Sequence, residues 1–161
     1  MSPKGNPVLS ILTLNKNQFW KNKAMNEMTP AEWESICDGC GRCCLQKLED
    51  EDTGDVYYTD VVCRYFDEKS CQCTEYQNRS VLVPQCVKLE VGDIDRFHWL
   101  PSSCSYKVLH ETGDLPSWHP LLTNDVSSVF NAGISIRGRV ISEKDVSEDD
   151  WEERIIYWID E

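Results

Sequence analysis

Cys37-Asp38-Gly39-Cys40-Gly41-Arg42-Cys43-Cys44 places four thiols within eight residues, with two glycines among them. Cys63, Cys71, Cys73, Cys86 and Cys104 bring the total to nine. From the first to the eighth the spacing is C-x2-C-x2-C-C-x18-C-x7-C-x-C-x12-C. A lone C-x2-C is shared with thiol redox motifs, but eight thiols that divide into two fours suit tetrahedral thiolate sites. The candidate metal ligands are therefore Cys37, Cys40, Cys43, Cys44, Cys63, Cys71, Cys73 and Cys86. Adjacent side chains diverge, so Cys43 and Cys44 do not reach one ion without strain. Two sites or one polynuclear cluster fit this better than a single isolated ion. The spacing leaves open which thiol joins which site. Cys104 stands alone at the start of an expected helix and reads as a structural thiol.

Zinc and iron both suit such a donor set, and iron–sulfur clusters also use four thiolates in compact tracts. A bacterial ferredoxin run carries a proline after its last cysteine; here Leu45 holds that place.

The chain has 161 residues, enough for one domain, read as residues 15–161 behind a flexible arm at 1–14. Hydrophobic residues make up 40%, so a core exists, and metal would supplement it where aliphatic residues are sparse. The formal charge is −12. Eight thiolates on two divalent ions would take it to about −16. Such a surface repels phosphate backbones, so nucleic acid is excluded as a partner. No apolar run approaches a membrane span, and the short Val8–Leu14 run lacks a cleavage site, so a cytoplasmic protein is expected. In a reducing compartment nine cysteines point to metal rather than disulfides.

Thr29-Pro30-Ala31-Glu32 opens a helix with a capping box. If that helix persists, Trp33, Ile36, Cys37 and Cys40 share one face. Gly39 and Gly41 then break it, and the tight turns should aim backbone N–H groups at sulfur. Leu45–Asp50 and Val56–Val62 form a hairpin around an acidic turn, which returns Cys63 to the side of Cys44. Cys71 and Cys73 alternate along an extended chain and would face one site. A short helix over Asn15–Met25 uses Phe19 and Trp20 as anchors. Further helices are expected from Pro101 to Leu109, with Gly113 as the stop, and over Asn124–Asn131. Ile134–Ile141 reads as a strand. A last helix opens at Ser147 and carries the stripe Trp151, Ile155, Trp158 and Ile159. The fold class is α+β: a small irregular domain of short strands and helices around a cysteine-ligated metal core.

Met28-Thr29-Pro30-Ala31-Glu32-Trp33-Glu34-Ser35-Ile36 leading into the cysteine tract, Cys71-Gln72-Cys73, Trp99-Leu100-Pro101, and Leu115-Pro116-Ser117-Trp118-His119-Pro120-Leu121-Leu122 together resemble the bacterial YcgN-type cysteine-cluster proteins. These belong with the wider YkgJ-like set, described as zinc- or iron-chelating. The resemblance spans roughly residues 17–141 and departs at the first 15 residues and at Arg137-Gly138-Arg139. It implies a cytoplasmic metal-chelating protein. A similar cysteine tract occurs in flagellin lysine methylases, but nothing else here resembles a methyltransferase cofactor site.

His119 is the best non-cysteine candidate, either as a ligand and proton carrier or as a hydrogen-bonded core histidine. His98 and His110 have weaker cases. Asp38, Arg42 and Arg64 lie close in sequence to the thiols, where an arginine would offset negative charge. The acidic run Glu49–Asp55 reads as a solvated turn. No phosphate loop, dinucleotide fingerprint or hydrolase triad is present, so no catalytic residue is assigned. Three functions remain: a structural zinc or iron site serving a protein partner, delivery or storage of the metal, and an iron–sulfur redox protein or enzyme.

Overall fold

The computed structural model describes residues 18–84, 86, 89–97 and 99–159. The expected N-terminal arm, the start of the Asn15–Met25 helix and His98 lie outside them.

Helix α1 (Phe19–Asn22) buries Phe19 and Trp20, which dock as anchors. Helix α2 (Pro30–Ser35) starts at the expected capping box: Glu32 N donates to Thr29 Oγ1 at 3.2 Å and Thr29 N to Glu32 Oε1 at 2.9 Å. It does not persist. Ile36 is its C-cap, so Cys37 and Cys40 lie beyond it rather than on a helical face. Gly39 at φ 75° and Gly41 at φ 81° turn the chain in a conformation that costs other residues steric strain. A 3-10 turn over Arg42–Cys44 follows.

Strands β1 (Leu45–Glu49) and β2 (Val56–Val62) pair antiparallel, with Leu45 opposite Val62 and Glu49 opposite Val56. The acidic turn closes on itself through Asp50, whose carboxylate accepts from Asp52 N and Thr53 N. Cys63 N donates to Cys44 O at 2.9 Å, so the hairpin returns Cys63 to Cys44 as expected. Short β3 (Phe66–Asp67) and β4 (Gln72–Cys73) form a separate ladder. Helix α3 (Arg79–Leu82) follows, and α4 (Ser105–Thr112) runs from an N-cap at Cys104 to Gly113 at φ 79°. Helices α5 (Pro120–Thr123) and α6 (Ser128–Asn131) are single turns, the latter shorter than the expected Asn124–Asn131 helix.

Two long-range expectations fail. The strand over Ile134–Ile141 is reduced to β5 (Ile141–Ser142), parallel to β2. Gly138 at φ 82° and the turn bond from Arg139 N to Ile136 O take up the rest. The last segment is not an α-helix. Glu148–Arg154 is a 3-10 turn, after which the chain extends and Ile155 bridges Thr59. Ile156 N donates to Tyr58 O at 2.9 Å, and Arg154 grips Asp60 at 2.7 and 2.9 Å. Pairing with β2 satisfies the backbone of a segment whose apolar spacing alone favours a helix.

The architecture is α+β with two apolar clusters. One gathers Phe19, Trp20, Ile36, Ile94, Tyr106, Leu109, Leu115 and Leu121 from the helices. The other gathers Leu45, Tyr58, Val62, Ile136 and Ile159 around the hairpin. Residues 37–44 run from Ile36, 0% exposed, to Leu45, 1% exposed, and so join the two. Each of these end anchors contributes about 2 kcal/mol of burial. No described helix is long and apolar enough to cross a membrane.

Candidate metal centre

The cysteine tract is clamped from outside. Trp118 Nε1 donates to Asp38 Oδ2 at 2.8 Å, and Asp38 Oδ1 accepts from Cys40 N at 3.0 Å. Next along, His119 Nε2 lies 2.8 Å from Ile36 O while Leu121 N donates to His119 Nδ1 at 3.0 Å. Those partners fix the tautomer with hydrogen on Nε2. Both ring nitrogens are thereby engaged and the residue is 1% exposed, so His119 is a core histidine that holds the chain just before Cys37. Burial lowers its pKa, and the Ile36 carbonyl opposes the shift. On the other side, Ile136 N donates to Cys40 O at 3.0 Å. A Cβ on Gly41 would meet Ile136 and Phe66 at 2.8 Å, so only glycine fits.

Arg42 lies between the two clusters, 4% exposed. Its Nε donates to Ile134 O at 2.9 Å, and its Nη1 to Ser103 Oγ at 2.9 Å and Ile159 O at 2.8 Å. Its guanidinium also lies 5.7 Å from the Trp158 ring centroid. It is both a positive charge beside the thiols and a cross-link between three remote segments. Lys47 Nζ donates to Cys43 O at 3.0 Å and Leu45 O at 2.7 Å, placing a second cation beside the vicinal pair. Arg64 is drawn away to Glu143 at 3.5 Å.

The surroundings of the thiols differ on the two sides of Cys43–Cys44. Cys44 packs against the sheet cluster, and Cys104 packs against the helical one, which contains Ile36. Cys37 is open at its rim but otherwise surrounded by protein, so desolvation raises its pKa, followed by the charges of Asp38, Cys43 and, more weakly, Cys104. Buried Cys40 is raised first by burial, then by Asp38, Cys43 and Cys37. On the other side, burial raises Cys63 and Cys86, with Cys73 adding to both and Cys63 to Cys86. Cys44 is raised by its hydrogen bond to Cys43 and by burial, with Cys63 and Cys86 adding. The same hydrogen bond lowers Cys43, and Lys47 assists. Cys43 therefore sits at the junction; its charge also bears on Cys86.

Amides oppose these charges. Gly39 N–H bears on the sulfur of Cys37 and Arg42 N–H on that of Cys40, the arrangement expected of turns around thiolates. Cys71 behaves differently. It has φ 56° and lies outside β4, so the expected alternation that would aim it with Cys73 does not hold. Its Sγ lies 3.5 Å from Glu68 O and 3.7 Å from Ser135 Oγ.

Among the described residues, no three His, Cys, Asp or Glu side chains form a ready-made ligand set. Charge effects between thiols connect the tract with Cys63, Cys86 and Cys104. The donors so gathered are sulfur with amide and cationic support, chemistry that fits zinc or iron rather than a hard cation.

Curated bacterial proteins match along most of the chain. A UPF0260 protein of Marinobacter nauticus is 55% identical over 141 residues, covering 88% of this chain and 95% of its own length. UPF0260 proteins of Pseudomonas putida GB-1 and Azotobacter vinelandii are each 50% identical over 139 residues, covering 86% of this chain and 93% of their own. The chain belongs to the UPF0260 family. Within it, residues 36–105 match the CxxCxxCC family model, described as "putative zinc- or iron-chelating domain". No solved structure matches. The UPF0260 chain thus carries a metal-chelating domain of the cysteine-cluster type, the family its sequence resembles. The domain's bounds enclose all nine cysteines, Cys104 included.

Sequence reasoning missed two supports of this domain. The sequence places Arg42 beside the thiols as an offsetting charge but does not reveal its burial or its bonds to Ile134, Ser103 and Ile159. The Trp118–Asp38 and His119–Ile36 bonds span some 80 residues, beyond the reach of any local pattern.

Proposed function

We propose that this protein holds zinc or iron in two thiolate centres that share the tract Cys37–Cys44 and divide at the Cys43–Cys44 pair. The observation that carries the reading is the divergence of the adjacent thiols: Cys44 is half-buried against the sheet cluster, whereas Cys43 is exposed. Bound metal would supply the link between two small cores, neither of which is large. Protons leave the thiols on binding, so acid should release the metal.

A second reading, metal delivery, draws on the exposure of Cys37 and Cys43. Exposed ligands let an incoming acceptor attack the metal without unfolding of the chain. An iron–sulfur centre remains the redox alternative. Anaerobic purification followed by elemental analysis and a visible spectrum separates these readings. Two stoichiometric metals per chain are expected. A chain that folds fully with no zinc or iron would overturn the proposal. Colourless protein with stoichiometric zinc would eliminate the iron–sulfur alternative. Metal transfer to a chelator while the far-ultraviolet spectrum stays native would favour delivery.

A further inference from the structure

Cys104 lies far along the chain from the other thiols, yet its surroundings are fixed by the tract. Two positions flanking it are bonded to residues that flank Cys37 and Cys40. Ser103 Oγ accepts from Arg42 at 2.9 Å, and Tyr106 Oη donates to Trp33 O at 2.8 Å. The Trp33 and Tyr106 rings also pack at 4.7 Å between centroids. A residue between Ser103 and Tyr106 is thereby brought against the segment between Trp33 and Arg42, which is the segment that carries Cys37 and Cys40. Cys104 is half-buried there and packs on the cluster that contains Ile36.

The local backbone suits a thiolate. Cys104 is the N-cap of the eight-residue helix α4, beside the N–H groups that open its first turn. Cys71 shows the opposite chemistry. A carbonyl oxygen only accepts, so its contact with Glu68 O uses the S–H proton, which a metal-bound thiolate lacks.

We propose that Cys104 completes a four-thiolate centre with Cys37, Cys40 and Cys43, that Cys44, Cys63, Cys73 and Cys86 form the second, and that Cys71 is a structural thiol. This assignment rests on the two-centre reading above and fixes its ligands. It exchanges one of the eight thiols favoured by spacing for the ninth. The C-x2-C-x2-C stretch then supplies three ligands of one centre, and Cys44 turns away to lead the other.

The test is metal stoichiometry of the full chain reconstituted with zinc, in wild type, Cys104→Ser and Cys71→Ser. The expected counts are two, one and two. Wild type with two metals and Cys104→Ser also with two would overturn the assignment alone. So would loss of a metal from Cys71→Ser. Wild type with none would overturn the metal reading itself. Cys104→His guards against a serine variant that does not fold, because imidazole can replace the thiolate as a ligand. Its cobalt(II)-loaded form should keep two ions while one centre shows weakened sulfur-to-cobalt absorption and shifted ligand-field bands. Unchanged cobalt bands in Cys104→His would place residue 104 outside both centres.

Discussion

The helical cluster around Ile36 and the sheet cluster around Leu45 are held by different means. On the sheet side the backbone does most of the holding: β1 and β2 form a ladder, β5 pairs with β2, and Ile155 bridges Thr59. On the helical side the elements are short, and single side chains tie them together across long stretches of sequence. Trp118 binds Asp38, His119 binds Ile36 O, Tyr106 binds Trp33 O, and Trp33 Nε1 binds Leu89 O at 3.0 Å. A ladder distributes its energy over many bonds, whereas a set of single clamps concentrates it. The cysteine tract is where the two constructions meet, which makes it a natural place for metal to reinforce them.

The largest test of that contrast is Arg42, whose bonds reach Ile134, Ser103 and Ile159. Arg42→Ala leaves three acceptors to find new partners and should cost about 3 kcal/mol of stability. Urea unfolding should show the loss, with a broadened transition as the two clusters uncouple. Arg42→Lys should not restore it, because an ammonium cannot present a planar fork in those directions. A loss below about 0.5 kcal/mol would show that the clusters are not joined through this residue.

The two glycines of the tract divide along the same line. Gly41 abuts Ile136 of the sheet cluster, and Gly41→Ala should cost about 3 kcal/mol by combining a clash at 2.8 Å with a strained φ. At Gly39 a Cβ meets only Cys71 O at 3.7 Å, so Gly39→Ala should cost about 1 kcal/mol, from conformation alone. Equal losses in thermal or urea unfolding would mean that packing against Ile136 does not set the difference.

How well each side could be read from sequence follows the same contrast. The hairpin was legible, including the return of Cys63 to Cys44, because strand residues and turn residues are neighbours in the chain. The capping box at Thr29 was legible for the same reason. The end of that helix was not, since the bond from His119 to Ile36 O comes from 83 residues away. The C-terminal stripe misled because its spacing fits a helix, while the unpaired backbone beside β2 offered an extended alternative. At the candidate centre, the cysteine tract that the family model matches was plain from spacing. The departure of Cys71 was hidden, because a left-handed φ at a non-glycine residue leaves no mark on composition. The position of Cys104 depends on Ser103–Arg42 and Tyr106–Trp33, contacts that spacing does not encode.

A smaller effect should come from the cap of α2, which lies on the clamped side. Thr29→Ala removes the acceptor for Glu32 N and should cost about 1 kcal/mol, while Thr29→Ser should retain most of the stability. Glu32 itself is held below the usual carboxylate range, first by its hydrogen bond from Lys23 and then by the Thr29 amide. Its contribution is present above the usual carboxylate pKa and fades as pH falls through the lowered folded value. Glu32→Gln should therefore be less stable than wild type at neutral pH and converge with it in acid, measured by urea midpoints.

His119 gives the finest discrimination between clamp and ladder, because its effect is a slope rather than a loss. Burial holds its pKa below 6.5, so in the folded chain it stays neutral, with Nε2–H given to Ile36 O. In the unfolded chain the ring takes up a proton as pH falls through that range. The unfolded state then binds more protons than the folded one, and stability must decline as pH drops from near 6.5 toward the lowered folded value. Wild type should lose urea midpoint between about pH 7.5 and about pH 5.5. His119→Gln should start lower, since glutamine fits the two backbone partners less well, but should lose less over the same interval. Metal release in acid lowers both proteins alike, so the difference between their slopes isolates the ring. Identical slopes would mean that the histidine accepts its proton in place, and the clamp on Ile36 would then have to tolerate an imidazolium beside the tract.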